Sequence, residues 1–317
     1  MATRRQLAFF PEYAGEINLP RPVNVASVPQ RSPFRYPGGK TWLVPTFRRW
    51  VAQLKTKPQL LVEPFAGGGI ISLTALFENL VNRVVMAELD EEVAAVWEAL
   101  VQGEAEWLAS RILAFPMTRE AVEAELRIPP NTGREKAFQT ILRNRTLHGG
   151  ILAEGSRFIR HGENGKGIGS RWYPKTLARR LADIDHFVDR IDFRCDDGLK
   201  VIQQFSERQD AIYFIDPPYT AGGKKAGRRL YKYHQLNHEQ LFANCQSLAG
   251  DFLMTYDEAE EVKSLARQFG FQMSLIPMKN THHATMKELV IGRNLSWLDE
   301  LPTIHEPEAD YATGEIK

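Results

Sequence analysis

Asp216-Pro217-Pro218-Tyr219 follows directly on five apolar residues, Ala211–Ile215. Two prolines cannot continue a central strand, because they remove ladder donors. The strand must therefore end there, leaving a carboxylate, a rigid extended backbone and an aromatic ring at its tip. That set suits a planar ring bearing an amino group. The carboxylate and a proline carbonyl can accept the two amine hydrogens while the Tyr219 ring stacks on the face. An ordinary proline turn is the weaker reading, since an Asp left without partners at a buried strand end would be costly. Asp216, Pro217, Pro218 and Tyr219 are the candidate catalytic residues.

A second constellation runs from Glu63-Pro64-Phe65 into Gly67-Gly68-Gly69, after the apolar run Leu60–Val62. A strand that enters glycines and then a helix lets backbone approach a nucleotide-like ligand. Glu88 ends the next apolar run, 19 residues after Gly69, where an acid can accept from ribose hydroxyls. The third position of the pattern is Ser72, not glycine, so the motif alone supports a tight strand-to-helix turn equally well. A third stretch, Phe34-Arg35-Tyr36-Pro37-Gly38-Gly39-Lys40, opens a predicted helix over Thr41–Leu54. Amides at a helix start beside a lysine can hold a carboxylate, although in isolation the stretch reads first as a turn and cap.

The elements that must position these residues alternate. Apolar runs at Leu60–Val62, Val84–Ala87, Ala211–Ile215, Phe252–Tyr256 and Glu288–Gly292 predict strands. Helices are predicted over Ile70–Leu80 and Glu91–Leu100. Short apolar strands separated by amphipathic helices imply a mostly parallel sheet covered on both faces, a Rossmann-like doubly wound α/β fold. From Gly103 to Arg190 the pattern changes. Helical stretches over Ala105–Phe115, Arg119–Arg127 and Arg134–Leu147 precede a glycine-rich basic stretch, Gly149–Pro174. Between Arg134 and Arg180 stand eleven basic residues and three acids, a local net of +8 against +1 for the 317-residue chain. The expected organisation is an irregular arm over 1–33 and a catalytic domain over 34–102 and 191–304. A largely helical recognition domain is inserted over 103–190, and an acidic tail covers 305–317.

A net charge of +1 excludes any argument for a nucleic-acid partner from the global balance, so that signal must be local. Two cysteines, Cys195 and Cys245, are too few for a disulfide framework. No apolar run reaches the roughly 18–20 residues of a membrane helix. The histidines show no metal-ligand spacing, so no metal is expected. The expected setting is cytoplasmic, without a membrane partner.

Together, Phe34–Lys40, Glu63–Gly69, Asp196-Asp197-Gly198 and Asp216–Tyr219, in that order, resemble the Dam-type N6-adenine-specific DNA methyltransferases, the alpha arrangement of amino-methyltransferases. The resemblance runs from about Phe34 to Leu295. It implies S-adenosylmethionine as methyl donor and adenine in double-stranded DNA as acceptor. Carried over residue by residue, it implies that Tyr36, Gly38, Gly39 and Lys40 form the first cofactor motif. Glu63, Phe65 and Gly67 form the glycine turn. Glu88 stands where the family usually has Asp at the ribose, with Asp90 as the alternative, and Asp197, or its neighbour Asp196, lies at the cofactor adenine. Asn144-Arg145, Gly149-Gly150 and Gly169–Pro174 resemble parts of the recognition domain, but the loop between them differs from the GATC-reading enzymes.

An amine inside a duplex is out of reach, so the base must flip out at a cost of a few kcal/mol. Stacking returns roughly 1–3 kcal/mol, and phosphate contacts must supply the rest. The basic clusters are the source: Arg143, Arg145, Arg157, Arg160, Lys166, Arg171, Trp172 and Lys175 in the insert, with Lys224, Lys225, Arg228 and Arg229 after the catalytic motif. Taken singly, each basic residue reads as a solvated surface charge. The alternatives to a DNA adenine methyltransferase are an RNA adenine enzyme, a cytosine amine acceptor, an inactive nucleic-acid-binding module and a dinucleotide-binding oxidoreductase. A restriction endonuclease encoded alongside is a possible partner.

Overall fold

The computed structural model describes residues 25–35, 38–153, 155–162, 165–218, 236–279 and 285–298. Seven strands form one sheet: β1 (Leu60–Glu63), β2 (Arg83–Ala87), β3 (Ile191–Arg194), β4 (Ala211–Ile215), β5 (Asp251–Asp257), β6 (Gln272–Lys279) and β7 (Thr285–Gly292). Their order is β3-β2-β1-β4-β5-β7-β6. All neighbours are parallel except β7, which runs antiparallel between β5 and β6. Chain direction across the sheet reverses between β1 and β4. In a doubly wound sheet that switch point opens a crevice at the carboxyl ends of the strands.

Successive residues of the apolar runs point to opposite faces, and both faces are covered. Leu61, Val84, Met86, Ile212 and Phe214 pack in one apolar cluster. Leu60, Val62, Val85, Ala87, Tyr213 and Ile215 pack in the other. Burial on both sides is why these strands read as unbroken apolar runs rather than alternating ones. The first face carries α1 (Val44–Ala52), α2 (Ile70–Phe77) and α3 (Glu91–Val101). The second carries α8 (Gly198–Phe205), α9 (His238–Ser247) and α10 (Glu260–Gln268).

The predicted helix from Thr41 begins instead with a 3₁₀ turn, Lys40–Leu43, and becomes α-helical at Val44 with Pro45 in its first turn. The middle segment is helical, as α4 (Ala105–Ala114), α5 (Arg119–Arg127), α6 (Gly133–Thr146) and α7 (Pro174–Asp185). A full capping box, Thr132 with Glu135, starts α6. α6 packs along α3, and α7 along α4. Leu108, Ile112, Phe115, Phe138, Leu177 and Leu181 belong to the same apolar cluster as Leu61 and Phe214, so insert and sheet share a continuous core. The described end of the N-terminal arm is docked too. Val28 is buried, Arg31 pairs with Glu78 at 2.8 Å, and its guanidinium lies over Phe77.

Among the described residues no helix is long and apolar enough to cross a membrane. Among the same residues no group of three His, Cys, Asp or Glu side chains is placed to hold a metal ion.

Candidate active site

The β1 strand ends at Glu63, and the chain turns through Gly67 and Gly69, both at positive φ (47° and 62°). A Cβ on Gly69 would stand 2.5 Å from Met86 Cε and 2.8 Å from the Trp97 ring, so only glycine fits this turn. Two side chains far along the chain fix it. Glu88 Oε2 accepts the Gly67 amide at 3.0 Å, and Trp97 Nε1 donates to the Gly67 carbonyl at 2.9 Å. Glu88 Oε1 accepts the Asp90 amide at 2.9 Å. Burial pushes the Glu88 carboxyl up to about 7, against the opposing pull of these backbone donors. Asp90, the alternative ribose acid, caps α3 by accepting the Glu92 amide at 2.9 Å. Leu89, which composition and spacing did not single out, is 41% exposed beside Glu88 and offers an apolar surface to a planar ring.

Glu63 is buried, and its Oε2 accepts the Ser72 amide at 2.9 Å from the first turn of α2. Desolvation pushes its carboxyl up to about 8; the Ser72 hydrogen bonds oppose that rise, and the Asp216 charge adds to it. Asp197 caps α8 by accepting the Leu199 amide at 2.8 Å, and Asp196 accepts the Asp197 amide at 2.7 Å. The start of α8 lies against the β1 turn. A Cβ on Gly198 would meet the Pro64 carbonyl at 2.4 Å and the Phe65 ring at 2.7 Å. Glu63, Phe65, Gly67, Glu88 and Asp197 thus converge on one end of the sheet.

Asp216 leaves the carboxyl end of β4, beside β1 and hence at the switch point. Its Oδ1 accepts from the Thr255 hydroxyl at 2.9 Å, and its Oδ2 lies 2.9 Å from Lys40 Nζ. Lys40 Nζ also donates to the Gly38 carbonyl at 2.9 Å and lies 3.1 Å from Glu288 Oε1. The lysine expected at a cofactor carboxylate is therefore seated against the proposed catalytic acid. Thr255 and Glu288 were not found by sequence reasoning. Thr255 had only its place on the predicted strand Phe252–Tyr256 as a signal. Glu288 stood on the predicted strand Glu288–Gly292, in a stretch, Lys287–Ile291, that resembles the family's closing elements without a role assigned to this residue. Pro217 is buried and Pro218 partly so, while Tyr219 and Tyr36 lie outside the described residues.

The basic residues divide by location. Arg157, Arg160, Lys166 and Lys175 are exposed. Arg143 is engaged within the protein, pairing with Glu92 and donating to the Leu152 carbonyl at 3.1 Å. Arg145 and Trp172 are not surface residues. Trp172 is 8% exposed, with its ring edge-on to Phe115 at 6.0 Å, which withdraws it from base stacking. Arg145 is 4% exposed, and its Nη2 donates to the Pro33 carbonyl. Burial first, then the like charges of Arg180, Arg35 and Arg171, push its guanidinium down to about 9. Arg171 is partly buried. Lys224, Lys225, Arg228 and Arg229 lie outside the described residues.

The insert also grips the segment that leads to Lys40. Asn144 accepts from the Arg35 amide at 2.9 Å and donates to the Arg35 carbonyl at 3.0 Å and the Gly150 carbonyl at 2.9 Å. Arg180 donates to the Ser32 carbonyl at 3.0 Å. Asn144-Arg145 and Gly149-Gly150 are thereby joined to Phe34–Lys40 in space.

The chain is 25% identical over 269 residues to a DNA N-6-adenine-methyltransferase of Escherichia phage P1, matching 80% of this chain and 33% of that protein. It therefore spans about a third of the length of that curated relative. Solved structures share less sequence. The rRNA methyltransferase AviRa of Streptomyces viridochromogenes is 14% identical with a TM-score of 0.40, over 88% of this chain and 96% of that one. An rRNA methylase of Streptococcus thermophilus is 11% identical with a TM-score of 0.35, over 80% and 96%. One family description spans residues 36–280, from the Lys40 turn through Glu63, Glu88 and Asp216 to β6, and by that match the chain belongs to the D12 class N6 adenine-specific DNA methyltransferases.

Proposed function

We propose that this protein transfers a methyl group from S-adenosylmethionine to the N6 amine of an adenine flipped out of duplex DNA. The observation that carries the reading is the placement of Asp216. It sits at the switch point, partly open, on the same sheet end as the Glu88-pinned glycine turn.

The residues around that turn fit the cofactor. Both oxygens of Glu88 accept backbone amides, and the carboxyl has lone-pair capacity left for a ribose hydroxyl. Exposed Leu89 and the Asp197 end of α8 would flank the cofactor's ring. The close approach that glycine permits at Gly67 suits a ligand lying across the strand ends. S-Adenosylmethionine supplies a methyl group already activated by its sulfonium.

The protein's own task is then positioning and charge. Asp216 accepts a hydrogen bond from the acceptor amine, which turns the lone pair toward the donor. Its negative charge opposes the positive charge that develops on nitrogen as the sulfur–methyl bond breaks and S-adenosylhomocysteine leaves. The methylated amine would then lose its extra proton to solvent. Lys40 and Thr255 hold one carboxylate oxygen each, so the group is oriented before substrate arrives. The ring of Tyr219 would stack on the flipped base. Arg157, Arg160, Lys166 and Lys175, with the Lys224–Arg229 cluster, would supply phosphate contacts, and the insert would read the target.

The test is transfer of labelled methyl from S-adenosylmethionine to unmethylated duplex DNA, with RNA of the same sequence in parallel. Label recovered as N6-methyladenine in DNA supports the reading. Label in RNA alone, or in cytosine, overturns it.

A further inference from the structure

Three oxygens surround Lys40 Nζ: the Gly38 carbonyl at 2.9 Å, Asp216 Oδ2 at 2.9 Å and Glu288 Oε1 at 3.1 Å. The two carboxylates are not equivalent. The Glu288 side chain is 5% exposed and that of Lys40 4%, whereas Asp216 is 20% exposed. Glu288 approaches from the protein side, and Asp216 faces the crevice. One strand pair holds the arrangement. On β5 and β7, Asp257 lies opposite Glu288 and Thr255 opposite Val290, and Thr255 fixes the other oxygen of Asp216.

Charge balance follows from this geometry. Lys40 and Asp216 alone would form a neutral pair. Positive charge growing on an amine bound to Asp216 would then meet a nearby ammonium, and the two effects would largely cancel. A second carboxylate, Glu288, faces the Lys40 ammonium from its buried side at 3.1 Å.

We propose that Glu288 is a positioning residue for methyl transfer. By balancing the Lys40 ammonium from the interior, it lets the Asp216 carboxylate oppose charge at the acceptor amine. Lys40 then acts as the strut that sets the carboxylate's orientation. This inference rests on the reading of Asp216 given above. The competing account makes Glu288 a buried counter-ion needed only for folding. It predicts lost stability upon substitution, with normal turnover by whatever protein folds.

Single-turnover transfer to unmethylated genomic DNA, with saturating S-adenosylmethionine and full-length protein, separates the two. For Glu288→Gln the rate should fall about ten- to a hundredfold, in line with loss of a preorganised charge near the reacting atoms. Affinity for S-adenosylhomocysteine by calorimetry, and for DNA by anisotropy, should stay within about threefold, because the Glu288 side chain is only 5% exposed and sits behind Lys40. Glu288→Asp keeps the charge on a shorter arm and should be several-fold slower than the parent but faster than Glu288→Gln. A Glu288→Gln rate equal to the parent's overturns the inference, and so does a loss confined to KM. If Glu288→Gln does not fold, Glu288→Asp carries the test, and a rate equal to the parent's overturns it. Failure of the parent protein to methylate any DNA is a separate outcome that overturns the underlying functional reading.

Discussion

Glu88 accepts the amide of Gly67 at 3.0 Å, so the acid that follows β2 also pins the turn that follows β1. On the proposed reading, ligand recognition and loop geometry therefore depend on one carboxylate. Glu88→Gln puts a donor in place of one accepting oxygen, opposite either Gly67 or Asp90. Hydrogen bonds to charged groups are worth about 1.5–3 kcal/mol, so affinity for S-adenosylhomocysteine should fall roughly tenfold to a hundredfold. Calorimetric titration reads this directly. An unchanged Kd would mean that the ribose is held elsewhere.

Glu63 gives the protein a pH signature. Its carboxyl is pushed from the ordinary 4.5 up to about 8 by burial. Across that window the folded state keeps a proton that the unfolded chain has released. This group's contribution to stability therefore declines as pH rises and levels off above the folded value. The limiting slope is roughly 1.4 kcal/mol per pH unit. Glu88, pushed up to about 7, adds a shorter decline of the same sign. Glu63→Gln is neutral throughout, so its melting temperature should gain on the parent's from about pH 5 to 8. A difference between the two curves that stays flat across that range would contradict the assignment.

Asp216→Ala should abolish methyl transfer while leaving DNA binding largely intact, because on the proposed reading the carboxylate acts on the amine and not on a phosphate. The pair between Lys40 and Glu288 survives the substitution, which protects the buried ammonium. Transfer and anisotropy assays on one preparation test both halves. Lost binding with retained turnover would remove Asp216 from the reaction.

The strands that were legible in the sequence are those buried on both faces. Ala211–Ile215 reads as an apolar run because α1 covers one side and α9 the other. The two edge strands were not legible. β3, Ile191-Asp192-Phe193-Arg194, alternates apolar and charged residues and is mostly half-buried. β6 carries Pro277, which argues against a central strand and is tolerated at the edge that β6 occupies. At the site, Asp216 and Glu88 were legible because each ends an apolar run. Thr255 and Glu288 were not, because a polar residue inside a strand takes its meaning from what lies across the crevice. Arg145 and Trp172 illustrate the reverse: a basic, glycine-rich composition predicts surface, yet helix packing draws both side chains inward.

The basic residues of the insert should therefore fall into two classes upon substitution. Arg157, Arg160, Lys166 and Lys175 are exposed, so changing all four to Ala removes charge without opening a cavity. DNA affinity should fall, and the dependence of log K on log salt should flatten by roughly one unit for each phosphate that is no longer neutralised. Trp172→Ala should instead behave as a core deletion. Its ring packs against Phe115, and large aromatic-to-alanine changes in cores cost about 3–5 kcal/mol. Its DNA affinity, measured well below the melting temperature, should keep the parent's salt slope. Anisotropy across a salt series, paired with thermal melting of each variant, distinguishes the classes. A stable Trp172→Ala protein with reduced DNA affinity at the parent's salt slope would mean that the ring opens outward onto DNA. An unchanged slope in the fourfold variant would assign phosphate binding to the cluster that follows Tyr219.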